Sequence, residues 1–193
     1  ESIWESILGA QNSEEKFKNA FTLIQNMMVR ATKVTGKKRV PYLEYLNRLF
    51  RITEDRKREE TTFFKGLTEF LRAEIQETDK NKRRYYFSSA KLLSSVRGVY
   101  KNEADYVRAR SYFAAAKHES NEKQRTRVLR MAKPIFINLI NRAHSLRSVY
   151  YLGEIFRIEG NDLVARKCYE VVKEKTRNKI SGEFWYNNAE AGI

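Results

Sequence analysis

Residues 148–172 read Ser148-Val-Tyr-Tyr-Leu-Gly-Glu-Ile-Phe-Arg-Ile-Glu-Gly-Asn-Asp-Leu-Val-Ala-Arg-Lys-Cys-Tyr-Glu-Val-Val, and their spacing predicts two helices folded back on each other. Apolar and aromatic residues recur every three or four positions on both sides of Gly160-Asn161. Gly160 can take the positive φ that ends a helix, and Asn161 or Asp162 can cap the next one. Gly153 lets the two helices approach closely, while Phe156 and Tyr169 fill the space beside that point. The pattern predicts helices over roughly 145–158 and 162–177.

This segment resembles a tetratricopeptide repeat, a helix-turn-helix unit of about 34 residues. Leu152 and Gly153 fall on the family's Leu-Gly pair, Phe156 on its aromatic, and Gly160 on its turn glycine. Ala165 falls on the alanine of its second helix and Tyr169 on the second aromatic. A fuller repeat is expected at 146–179. A weaker copy is expected at 90–123, where Leu93, Val96, Tyr100, Ala109, Phe113 and Ala116 take corresponding places. There Arg97 replaces the crossing glycine and Ala104 the turn glycine. The starts at Ala90 and Leu146 are not separated by a whole multiple of the repeat, so any array is irregular.

Working outward, apolar residues from Phe17 to Val34 lie at helical spacing after Ser13. Gly36 interrupts them, and Pro41 stands where a new helix takes proline in its first turn. A third stripe runs from Phe63 to Ile75, ending near Thr78-Asp79, and a fourth from Tyr86 to Tyr100. Between Glu54 and Glu60 charged residues predominate, as in a connection or a solvated helix start. Ala104 to Lys117 predicts a helix, Pro134 predicts a break or kink near Lys133, and residues 183–190 predict a short final helix.

The expected fold is therefore all-α: antiparallel helical hairpins in a tetratricopeptide-like right-handed solenoid with an irregular N-terminal helical portion. One helical domain is expected over 1–193, with N-terminal helices (degenerate repeats or a cap) at 1–84 and the repeat-like portion at 85–193.

Composition agrees with helices, since 193 residues carry only 8 Gly and 2 Pro, too few for a turn-rich β fold. Lys and Arg number 38 against 24 acids, a formal charge of +14, which favours anionic partners without choosing among them. The single cysteine, Cys168, excludes an internal disulfide and points to a reducing, cytoplasmic setting. No run approaches the ~20 apolar residues of a membrane span. The chain begins at Glu1 rather than Met, as a processed or excised piece would.

The resemblance implies that peptides bind along a surface formed mainly by the first helix of each repeat. The groove candidates it implies are Lys91, Ser94, Lys101 and Asn102 in the weaker repeat and Arg147, Tyr150, Glu154 and Arg157 in the stronger. The same residues also read as ordinary solvated helix positions. Some family members clamp a peptide carboxylate with Lys and Asn; Ser94 and Gly98 stand at those places, so that specificity does not carry over. Three basic clusters are candidate anion or nucleic-acid contacts: Lys37, Lys38 and Arg39; Lys80, Lys82, Arg83 and Arg84; and Lys123, Arg127 and Arg130, with Arg125 nearby. Such rows contact phosphates without reading sequence, and Tyr85 and Tyr86 are candidate stacking platforms for unpaired bases.

Catalytic chemistry is not expected. The chain has no Gly-rich phosphate loop and no nucleophile elbow. His118 and His144, near predicted helix C-termini, suit capping, and Cys168 has no nearby histidine. No cofactor and no metal are expected. The function expected is a non-catalytic scaffold or adaptor binding an acidic or extended protein segment. The alternative is a basic helical nucleic-acid-binding domain.

Overall fold

The computed structural model describes residues 13–53 and 59–177. Among them the regular structure is helical: α1 Ser13–Lys33, α2 Val40–Ile52, α3 Glu59–Glu74, α4 Asp79–Leu93, α5 Lys101–Lys117, α6 Glu122–Ala143, α7 Leu146–Ile158 and α8 Asp162–Thr176, with 3-10 turns at Gly36–Arg39 and Gly98–Tyr100. The expected helix at 183–190 lies outside the described residues. Two compact units divide at Ala104 and Asp105, inside α5; residues 84 and 85 lie in the middle of α4.

In the first unit α1 packs on α2, and α3 on α4, with α3 also touching α1 and α2. Gly36, at φ 58, turns the chain after α1, and Pro41 occupies the first turn of α2. Apolar residues converge from all four helices: Leu23, Ile24 and Met28 on α1, Leu46 and Leu49 on α2, Phe63 and Phe70 on α3, Tyr86 and Leu93 on α4. Gly66 allows α3 and α4 to close, since a Cβ there would sit 2.6 Å from Leu93 Cγ.

The fourth helix ends at Leu93 rather than continuing through Tyr100. Val96 and Tyr100 keep helical spacing in sequence, yet Gly98 adopts φ 55. The Arg97 N–H donates to Glu59 Oε1 at 2.8 Å. The register expected for a repeat beginning at Ala90 therefore does not hold, because Ala90 lies in the last turn of one helix instead of the first turn of the next.

In the second unit α6 packs on α7 and α7 on α8. Helix α6 runs unbroken through Pro134, so of the expected break or kink the break does not occur. Val128, Leu129, Ala132, Phe136 and Leu139 form one buried face spanning both sides of the proline, and burial along the whole face outweighs the one lost hydrogen bond. The helix ends at His144, whose φ of 47 is left-handed; its N–H donates to the Ile140 carbonyl at 3.0 Å. Ser145 follows at once and caps α7, accepting from the Ser148 N–H at 3.3 Å.

The α7–α8 hairpin matches its expectation closely. Gly160 has φ 76, and Asn161 Oδ1 caps α8 by accepting from the Val164 N–H at 3.3 Å. Gly153 is the crossing point, where a Cβ would lie 2.8 Å from the Tyr169 ring and 3.0 Å from Cys168 Cβ. Ala165, Tyr169 and Val172 form the buried cluster, with Val149, Tyr150 and Phe156 packed against it.

Candidate functional site

The α7 residues expected to face a groove are held within the second unit. Arg147 lies over the Tyr106 ring, its Cζ 4.2 Å from the centroid. Tyr150 packs on Tyr151 and Tyr169, at 5.4 and 5.8 Å between centroids. Glu154 accepts from the Tyr169 hydroxyl at 2.5 Å on one oxygen and from Arg157 Nη2 at 3.0 Å on the other. Both carboxylate oxygens therefore already have donors.

Titration follows from these contacts. Burial, reinforced by the Glu154 charge, pushes the Tyr150 phenol up to about 12. Burial and the bond to Glu154 push Tyr169 up further. The same carboxylate holds the Arg157 guanidinium above its ordinary value, chiefly by hydrogen bonding. Burial also raises the Cys168 thiol, which makes it a weak nucleophile at neutral pH.

Beside this network, Tyr151 stacks on Phe136 at 5.6 Å and meets Phe113 edge-on at 5.3 Å. Arg110 lies 5.7 Å from the Tyr106 ring and 5.5 Å from the Tyr151 ring. Arg110 and Tyr106 lie four residues apart on α5, but sequence reasoning did not find the cluster, since Phe136 and Tyr151 come from α6 and α7, far along the chain.

The four remaining groove candidates belong to the first unit and do not share one helix. Lys91 is on α4, Ser94 just past its end, and Lys101 and Asn102 open α5. Ser94 donates to the Lys91 carbonyl at 2.6 Å. They are not a row along a single leading helix.

The three basic clusters have different fates. Arg39 is only 5% exposed; its Nε donates to the Ala31 carbonyl at 2.9 Å and its Nη2 to the Val34 carbonyl at 2.7 Å. Nη1 pairs with Glu74 at 2.5 Å, so Arg39 is structural and no surface contact. Lys37, by contrast, is exposed and pairs with Glu77 at 3.2 Å, and Lys38 is exposed.

The second cluster occupies the first turns of α4. Lys80 and Arg84 are exposed, whereas Lys82 and Arg83 are half-buried. Arg72 and Arg84 both approach the Tyr85 ring, at 5.6 and 5.8 Å from its centroid. Tyr86 is buried against Phe70 at 5.4 Å, so it cannot serve as the expected stacking platform.

The third cluster is an exposed row. Lys123, Arg127 and Arg130 are separated by four and then three residues, which places them on one face of α6, opposite its buried face. All three are exposed, and no ion pair joins them to a carboxylate among the described residues. They border an open depression of about 680 Å³, together with Glu122, Gln124 and Thr126. Lys133, further along, differs: it pairs with Glu159 at 2.6 Å and lies over Phe156 at 4.2 Å.

Among the described residues no cluster of His, Cys, Asp and Glu could hold a metal, and no helix is long and apolar enough to cross a membrane. Among the described residues these features define an all-helical arrangement of packed helices with a strongly basic face on α6. Comparison with protein-family models, curated proteins and solved structures gives no match.

Proposed function

We propose that this chain is a non-catalytic scaffold, a tetratricopeptide-like solenoid of helical hairpins that captures an acidic protein segment on α6. The observation that carries this reading is the row Lys123, Arg127 and Arg130, exposed and without carboxylate partners among the described residues. Guanidinium groups bind carboxylates bidentately, and an exposed row of like charge lowers its self-repulsion by binding anions. On α7, Glu154 is hydrogen-bonded to Arg157 and to Tyr169 of α8 and Arg147 lies over Tyr106, contacts that stabilise the unit and favour α6 as the recognition face.

The same cations also suit phosphates. A protein partner is favoured because Tyr86 is buried, which removes one of the two aromatic platforms expected for single-stranded nucleic acid.

Salt-titrated fluorescence anisotropy tests the reading, with labelled polyglutamate and labelled single- and double-stranded oligonucleotides as probes. Polyglutamate is expected to bind at low salt and to hold the advantage over oligonucleotides as salt rises. Failure of polyglutamate to bind even at low salt, or steeper and tighter oligonucleotide binding throughout, would refute it.

A further inference from the structure

The exposed face of α6 does not end with its cations. Beyond Lys123, Arg127 and Arg130 the same steps of four and three residues reach Pro134 and then Ile137, both exposed. Ile137 is 42% exposed and Met131, beside Pro134, is 43% exposed. Val128, Leu129, Ala132, Phe136 and Leu139 are buried on the opposite side, so the outer stripe lies off the buried face of the helix. One helix face thus presents three cations in its first half and, in its second, the exposed apolar residues Met131, Pro134 and Ile137, with the exposed amides Asn138 and Asn141 at its far end. At 1.5 Å per residue, Lys123 to Ile137 spans roughly 21 Å.

We propose that the occupant of this face is an acidic amphipathic helix, with carboxylates over Lys123, Arg127 and Arg130 and apolar side chains over Met131, Pro134 and Ile137. The inference rests on the reading of α6 as the docking face and adds the partner's chemistry. Charge complementarity fixes which half receives the acids. The apolar half gives the contact a component that salt does not screen, since burying Ile137 and Met131 stabilises by area and not by charge. A stripe repeating every three and four residues suits a second helix, whose own rows have the same spacing. Pro134 supports this from the backbone: it lacks the N–H that would donate to the Arg130 carbonyl, which leaves a polar acceptor where the basic and apolar halves meet.

The test uses the full chain and, beside labelled polyglutamate, three further labelled probes read by anisotropy. The first is a helical peptide of about 20 residues with glutamates confined to one half of a face and leucines to the other. The second has the same composition with glutamate and leucine interleaved around the helix; the third is a DNA duplex. The segregated peptide is expected to bind at least about tenfold more tightly than the interleaved one, a difference of about 1.4 kcal/mol. Ile137→Asp is expected to abolish that preference while polyglutamate still binds, and Ile137→Ala to reduce it; circular dichroism checks that each variant folds. Equal binding of the two peptides overturns this inference but leaves acidic capture by α6 standing. Tighter binding of the duplex than of either peptide, or no binding by any probe, overturns both.

Discussion

The Tyr169 hydroxyl donates to Glu154 across the α7–α8 hairpin, while Arg157 holds the other oxygen of the same carboxylate. Tyr169 is fully buried, so its hydroxyl has no water to replace that acceptor. Glu154→Ala is expected to cost about 1–3 kcal/mol, the penalty of an unsatisfied buried donor. Tyr169→Phe, which removes the donor and keeps the ring, is expected to cost about 1 kcal/mol. Urea denaturation of the two variants and their combination measures both, and the double variant should fall short of the sum of the singles.

Alkaline pH should weaken the hairpin through its tyrosines. In the unfolded chain Tyr150 titrates near its ordinary value of about 10, whereas in the fold burial moves it up to about 12. The folded state therefore binds more protons between these values, and stability falls as pH rises across that window. Below pH 10 the contribution is fully present; above 12 it is lost. Denaturant midpoints from pH 9 to 12 should decline less steeply in Tyr150→Phe than in the parent chain.

The two hairpin glycines should fail for different reasons. Gly153→Ala pushes a methyl against the Tyr169 ring at 2.8 Å and Cys168 Cβ at 3.0 Å, neither of which can move freely. Overpacking of this kind costs about 1–3 kcal/mol. Gly160→Ala meets no atom within 4 Å but inherits φ 76, at about 1–2 kcal/mol for an L side chain. Thermal melts should show both losses, and a larger substitution such as Leu should worsen the first far more than the second.

Arg39 should behave as a core residue in spite of its charge. Arg39→Ala leaves the Val34 and Ala31 carbonyls without this donor and Glu74 without its ion pair, a loss of about 3 kcal/mol or more. Arg39→Lys should recover little of it, since an ammonium cannot reproduce the planar fork. Chemical denaturation decides the point; a near-neutral Arg39→Ala would contradict the structural role.

The contrast between Arg39 and the α7–α8 hairpin shows what the sequence made legible. The hairpin could be read because its determinants are local: Gly153, Gly160, Ala165 and Tyr169 lie within one helix-turn-helix. Arg39 read as a surface base among Lys37 and Lys38, because its partner Glu74 lies on another helix and its other acceptors are backbone carbonyls. The end of α4 was hidden similarly, since Val96 and Tyr100 preserve a helical period and the Glu59 carboxylate that holds the loop is remote in sequence. Pro134 differs in the opposite sense: of the break or kink that it suggests locally, the break is overridden by a buried face on both sides of it. Of the candidate site, the row Lys123, Arg127 and Arg130 was visible from spacing alone. The occupied state of Glu154 and Arg147 required their neighbours on α8 and α5.

The most direct measurement of partner capture by α6 is the affinity of polyglutamate for Arg127→Glu/Arg130→Glu. Both side chains are exposed, so the fold should remain, with an unchanged circular dichroism spectrum and melting temperature. Affinity at low salt should fall by at least about tenfold and lose most of its salt dependence. An unchanged affinity in a folded double variant would contradict binding through this face.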